Sequence, residues 1–579
     1  MNRTFRRTAL AAGIAALCIA AGCAQKAKSP EPDMAREQAV AERKSAPPAM
    51  AAQSELDAVA VSGSRMANAP AAIPMTPPPP PPAMYASMPP QPAHGLPAAN
   101  TETYAGLEDN PVHRTVEEPV STFSIDVDTG SYTNVRGMLA DGTRPPANAV
   151  RAEEFLNYFD YGHPAPANRE VPFRVSTELA PAPWNAKRQL LMIGIKGYDV
   201  PKATLPPANL VFLIDTSGSM NSPDKLPLLK RAFSMLTRQL RPQDRVSIVV
   251  YAGSAGLVLP PTPGDRQGEI LAALEQLSAG GSTNGGEGIQ LAYAMARQAF
   301  VKDGVNRVIL ATDGDFNVGT VDRDALETLV GDQRSTGVAL STLGFGRGNY
   351  NDAMAERLAD VGDGNHAYID SLHEARKVLV EEMGSTLMTI ARDVKIQVEF
   401  NPARVAEYRL VGYENRVLAR EDFDNDQVDA GDIGAGHEVT ALYEITPVGS
   451  GVERLPALRY GDKAAPSPQL GNEVAHLRLR YKRPGEDDSR LIETPIRAAD
   501  ASASASPSLR FAASVAAFAD LLRGGTHFDG WGWDAMLATA RGARGEDRSG
   551  QRGDFVAMAE TARTVVAPAG ANDTPRVSE

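Results

Sequence analysis

Asp215, Ser217 and Ser219 stand at alternate positions in the stretch Asp-Thr-Ser-Gly-Ser. The stretch follows the apolar run 210–214, and a helix is expected from about Lys225. One carboxylate and two hydroxyls at this spacing offer hard oxygen donors, of the kind that hold Mg²⁺. Asp or Ser after a strand also serves as an ordinary helix N-cap. Alone, the stretch reads either as a metal loop or as a cap.

Two later stretches supply partners. The Gly-rich loop 280–286 carries the hydroxyl of Thr283, and Asp313 follows the strand-like run 308–310. Periodicity places strands at 209–215, 245–252, 305–312, 338–345 and 366–369, with a short edge strand near 256–259. Helices are expected at 225–240, 265–277, 285–300, 323–335, 350–361 and 371–391. In the first of these Leu228, Leu229, Ala232, Phe233 and Leu236 recur at helical spacing. Strand and helix alternating at this pitch predict an α/β fold, with a doubly wound, mostly parallel sheet and helices on both faces. Ligands bind at the carboxyl edge of such a sheet, where the loops bearing Asp215, Thr283 and Asp313 can converge.

At these residues the chain resembles the von Willebrand factor type A family. That family's metal-ion-dependent adhesion site has the pattern Asp-x-Ser-x-Ser, then a Thr, then an Asp. The positions fall on Asp215, Ser217, Ser219, Thr283 and Asp313. The resemblance implies that both serines ligate a divalent cation directly, and Thr283 directly or through water. It implies that the two aspartates act largely through water. The implied cation is Mg²⁺, with Mn²⁺ or Ca²⁺ as alternatives. Its open position would be filled by an Asp or Glu of a protein partner. This resemblance covers residues 207–392. More broadly, residues near 105–165 and 395–567 are similar to the N- and C-terminal regions of bacterial lipoproteins carrying such a domain.

The flanks read as β-structure. Strands are expected at 171–178 and 189–195 before the α/β unit, and at 394–400, 407–413, 438–447, 474–481 and 491–496 after it. The early strands lack local partners, so they are expected to complete a β-sandwich-like domain into which the α/β unit is inserted. Helices near 508–523, 532–544 and 552–565 make a small C-terminal helical region. There Phe511, Val515, Phe518 and Leu522 form an apolar face over Trp531, Trp533 and Met536.

A length of 579 residues implies several domains. The expected division is 1–23, 24–104, 105–206, 207–392, 393–499 and 508–567. The net charge of −13 argues against a nucleic-acid partner. Arg3, Arg6 and Arg7, an apolar run over 9–20 and small residues before Cys23 read as a secretory signal. Ala-Ala-Gly-Cys resembles the lipobox of bacterial lipoproteins, which implies lipidation at Cys23 and anchoring in the cell envelope, at the outer membrane. A plain cleaved signal is the alternative. Residues 24–104 are rich in Ala, Pro and Met, with a Pro run at 77–82. They cannot bury a core and are expected to be a disordered tether or a Pro-rich docking motif.

Two motifs are decoys. Asp126-Val-Asp-Thr-Gly contains an aspartic-protease signature, but that chemistry needs a second such carboxylate. Asp128 is expected instead to cap the next helix. Asp422, Asp424 and Asp426 alternate like a calcium loop, but Gln427 and Ile433 stand where Gly and Glu are needed. No zinc spacing, nucleophile elbow or phosphate loop occurs. These observations favour a binding module over an enzyme. The alternatives are a metal-assisted hydrolase with Asp313 or Glu287 as base, or a structural scaffold of the envelope.

Overall fold

The computed structural model describes residues 104, 106, 108–282, 285–314, 323–347, 352–456 and 471–566. The expected signal, Cys23 and tether lie outside them, apart from Tyr104 at the tether's end.

A six-stranded sheet runs through the middle of the chain. Its spatial order is His366–Ile369, Ala339–Phe345, Val305–Thr312, Ala208–Asp215, Arg245–Tyr251 and Ala255–Pro263. All neighbours are parallel except the last pair. The strand Ala208–Asp215 is buried along its whole length, as a central parallel strand must be when helices cover both faces. Its side chains alternate across the sheet. Leu210, Phe212 and Ile214 join one core, whereas Val211 and Leu213 join another.

The helix Leu226–Thr237 closes the first core with Leu228, Leu229, Ala232, Phe233 and Leu236. Phe233 stacks on Phe212 with ring centres 4.2 Å apart. The helix Gly285–Gln298 closes the other core with Ile289, Ala292, Tyr293 and Ala296. It lies so close to the sheet that a Cβ at Gly288 would stand 2.8 Å from Cβ of Tyr251.

Before and after this unit the chain belongs to one β-sandwich. One sheet has the order His113–Arg114, Val405–Val411, Glu438–Pro447, Asn185–Gly197, Phe173–Ala182. The other has Ile433–Gly434, Thr389–Phe400, Glu473–Lys482 and Arg490–Arg497, with Val120–Ser124 also on Thr389–Phe400. Gln189 to Ile195 pair with Ile445 to Val439. The α/β unit is therefore inserted between two segments that are hydrogen-bonded neighbours. The sheets share a core that includes Phe123, Ile193, Ile396, Phe400, Tyr443 and Leu479.

Three expectations need correction. The helix placed at 371–391 is interrupted. It runs as Leu372–Arg376, a π-helical turn Lys377–Glu381 and Met383–Leu387, and Thr389 already begins a strand. Thr389 and Ile390 are β-branched and fit a pleated strand better than a helix. The edge strand near 256–259 extends over Ala255–Pro263. The residue Asp128 does not cap its helix. Thr129 holds the N-cap position without a side-chain hydrogen bond, and Asp128 Oδ1 accepts from the His366 backbone N–H at 2.8 Å.

The C-terminal helices Pro507–Arg523, Trp533–Gly542 and Gln551–Val566 share one core with Tyr132, Phe155 and Phe159 from the N-terminal region. Trp531 and Trp533 are partly buried against that core, and Met536 is within it. Across the junction with the α/β unit, Arg136 makes two 2.7 Å bonds to Asp370 and one of 2.8 Å to Glu374. Arg416 reaches Glu356 and Asp360 at 3.1 and 2.9 Å. Among the described residues no helix is long and apolar enough to cross a membrane.

Candidate metal centre

Asp215 ends the central strand, and Asp313 directly follows its neighbour Val305–Thr312. The chain crosses from one side of the sheet to the other at this strand, which leaves a crevice at the carboxyl edge. Both carboxylates sit in it with no solvent exposure, and Ser217 is 2% exposed. Ser219 is open to solvent.

The loop after Asp215 is shaped by its own hydrogen bonds. Asp215 Oδ1 accepts from the Ser217 N–H at 2.8 Å, an Asx turn that folds the chain back over the carboxylate. The hydroxyls of Ser217 and Ser219 then come within 3.0 Å of each other. A second loop is tied on: Gly280 N–H donates to Thr216 O at 2.8 Å, and Gly218 N–H to Gly281 O at 3.1 Å. Thr283, two residues beyond Gly281, lies outside the described residues. Of the five predicted ligands, Asp215, Ser217, Ser219 and Asp313 are brought to one edge. Glu287, the alternative base, is exposed in the first turn of Gly285–Gln298.

Three contributors were not identified from sequence. Thr312 Oγ1 faces Asp215 Oδ2 at 3.4 Å. The buried side chain of Tyr251 also acts on Asp215, drawing its carboxyl down. Lys225 Nζ donates to Asp313 Oδ2 at 2.9 Å. Thr312 and Tyr251 end the strands on either side of Asp215, so strand-end position was the available signal for them. Lys225 carried none beyond its charge.

Burial pushes the Asp215 carboxyl up to about 6. Hydrogen bonds from the N–H and hydroxyl of Ser217 oppose the shift, the charge of Asp313 adds to it, and the Tyr251 hydroxyl opposes it. Lys225 contributes one positive charge against the two carboxylates. The residues present fit a hard divalent cation: paired hydroxyl donors, acceptor carboxylates behind them and an excess of negative charge. Among the described residues no cluster of three or more His, Cys, Asp and Glu could hold a metal. A hydroxyl-based site is not of that type.

Residues 210–315 match the von Willebrand factor type A domain model, and residues 98–192 match a second von Willebrand factor model. Residues 385–565 match the model for the C-terminal part of the uncharacterised protein YfbK. The chain is 48% identical over 470 residues to the uncharacterised protein YfbK of Escherichia coli, covering 80% of this chain and 81% of that protein. It is 25% identical over 323 residues to the uncharacterised protein sll0103 of Synechocystis, covering 55% of this chain and 71% of that one. Among solved structures, a von Willebrand factor type A protein from Catenulispora acidiphila is 16% identical. It covers 68% of this chain and 91% of its own, with a TM-score of 0.37. A sheet of this order, a hydroxyl-and-carboxylate loop at its edge and identity at this level over four-fifths of both chains lead to one assignment: the chain belongs to the YfbK family of von Willebrand factor type A proteins.

Proposed function

We propose that the chain is a divalent-cation-dependent protein-binding module of the bacterial cell envelope, anchored by lipid at Cys23. Type A domains are commonly protein-interaction modules. The observation that supports cation dependence is the edge itself: two buried carboxylates behind a pair of hydroxyls 3.0 Å apart, the outer of which is solvent-exposed. Ser217, Ser219, Asp215 and Asp313 would hold the cation, with Thr283 joining them as the resemblance implies. Bound there, the cation would supply an electrophilic position for an outside carboxylate, because neutral hydroxyls quench its charge less than carboxylates would. The preferred partner is a protein surface presenting Asp or Glu.

Hydrolysis is the weaker reading. The Asp313 oxygen that accepts from Lys225 is engaged, and Glu287 is exposed to solvent on its helix. The test is crosslinking and affinity capture from cells, with wild type beside Asp215→Ala. Capture is expected in Mg²⁺ or Mn²⁺, and is expected to vanish in EDTA or in the variant, while circular dichroism stays unchanged. Capture that survives both treatments refutes the proposal.

A further inference from the structure

We infer that Lys225 is a built-in counter-cation that competes with the divalent ion and sets how tightly the site holds metal. This rests on the metal-dependent reading above and adds a control to it. The Lys225 ammonium lies 2.9 Å from Asp313 Oδ2, and the two side chains are 8% and 0% exposed. A buried carboxylate needs a partner when no metal is bound, and Lys225 meets that need. A divalent ion brought to the same carboxylates then meets a fixed positive charge in a poorly screened crevice, where like charges repel more strongly than in water.

The ammonium cannot easily withdraw. Lys225 precedes the helix Leu226–Thr237, with its N–H on Ser222 O at 3.1 Å and its carbonyl receiving Leu229 N–H at 2.9 Å. Its stem runs beneath Gly346, where φ is +71° and an added Cβ would overlap Cγ, Cδ and Cε of the lysine. Gly346 is pinned in turn. Its carbonyl accepts from the Tyr368 hydroxyl at 2.6 Å. The next residue, Arg347, donates to Gly137 O at 2.6 Å and pairs with Asp141, both in or next to the N-terminal-region helix Gly130–Ala140. The ammonium is therefore held against Asp313 by the body in which the α/β unit is mounted. Metal affinity becomes a property of the whole chain rather than of the metal loop alone.

The experiment uses the full chain and the variant Lys225→Met, which keeps the packed stem and removes the charge. Lys225→Gln is the second variant, with a hydrogen-bond donor retained. Mg²⁺ and Mn²⁺ dissociation constants are measured by calorimetry, and melting temperatures in EDTA and in saturating Mg²⁺. Both variants are expected to bind metal about tenfold more tightly, which is ~1.4 kcal/mol. They are expected to melt below wild type in EDTA but not in Mg²⁺. A tightening of less than threefold, or weaker binding, overturns the role of Lys225 while leaving the metal site standing. No metal binding by wild type or by either variant overturns both, and Asp215→Ala supplies the non-binding baseline. A lysine that served only the fold would lower both melting temperatures and would not tighten metal binding.

Discussion

Phe159 tests whether the C-terminal helices and the N-terminal region are one structural unit. Its side chain is 3% exposed. Its ring makes edge-to-face contacts with Tyr132 at 5.3 Å, Tyr158 at 5.1 Å, Phe511 at 5.1 Å and Phe555 at 5.5 Å. Two of those partners come from the helices Pro507–Arg523 and Gln551–Val566, more than 350 residues away in the chain by numbering. Phe159→Ala should cost about 3–5 kcal/mol for a buried phenylalanine. Loss of four aromatic pairs, each worth roughly 0.5–1.5 kcal/mol, places the expected value at the upper end. The assay is urea unfolding followed by tryptophan fluorescence. All three tryptophans, Trp184, Trp531 and Trp533, pack against this core, so the signal reads it directly. A loss below about 1 kcal/mol would refute the shared core. So would a fluorescence transition unmoved by the substitution while circular dichroism shifts.

Glu153 makes a pH prediction. It is fully buried, and its Oε2 accepts from Tyr413 N–H at 2.9 Å. Burial, then the charges of Glu414 and Asp126, push its carboxyl up to about 8, against an opposing pull from the Tyr413 N–H. The folded state therefore keeps a proton that the unfolded chain releases above its own value of roughly 4.3, so this group's contribution to stability falls as pH rises between those two values. Glu153→Gln should gain at least about 1 kcal/mol on wild type at pH 8.5 compared with pH 5, measured by urea unfolding. An equal difference at both pH values would sink the prediction. For the anchor, Cys23→Ser should move the chain from the membrane to the soluble fraction and abolish incorporation of a fatty-acid analogue. Unchanged sedimentation with no label in wild type would rule lipidation out.

Much of the α/β unit is legible in the chain because its signals are local. The expected strands 305–312 and 366–369 coincide with Val305–Thr312 and His366–Ile369. The helix spacing of Leu228, Leu229, Ala232, Phe233 and Leu236 is the face that is buried. The α/β fold and the insertion into a β-sandwich were likewise readable; the early strands Phe173–Ala182 and Asn185–Gly197 do pair with each other, but a two-stranded hairpin is marginal by itself, and Asn185–Gly197 takes the distant Glu438–Pro447 as its other neighbour. Less legible were features set by competition between segments. The helix before Thr389 stops where β-strand pairing with Ile433–Gly434 outweighs continuation of the helix. Asp128 looked like a cap because the sequence shows the helix after it, and not the His366 N–H that claims its oxygen 238 positions later.

At the loop after Asp215 the division is clear. Residue type and spacing alone placed Asp215, Ser217, Ser219 and Asp313 together, because strand ends in a parallel sheet must emerge on one edge. The tertiary structure decided what surrounds them. Tyr251 and Thr312 flank one carboxylate, and Lys225, held down by Gly346, neutralises the other. Those contacts join segments tens of residues apart, so no local pattern encodes them. They exist only because packing brings the strand ends, the helix start and the loop at Gly346 into one crevice.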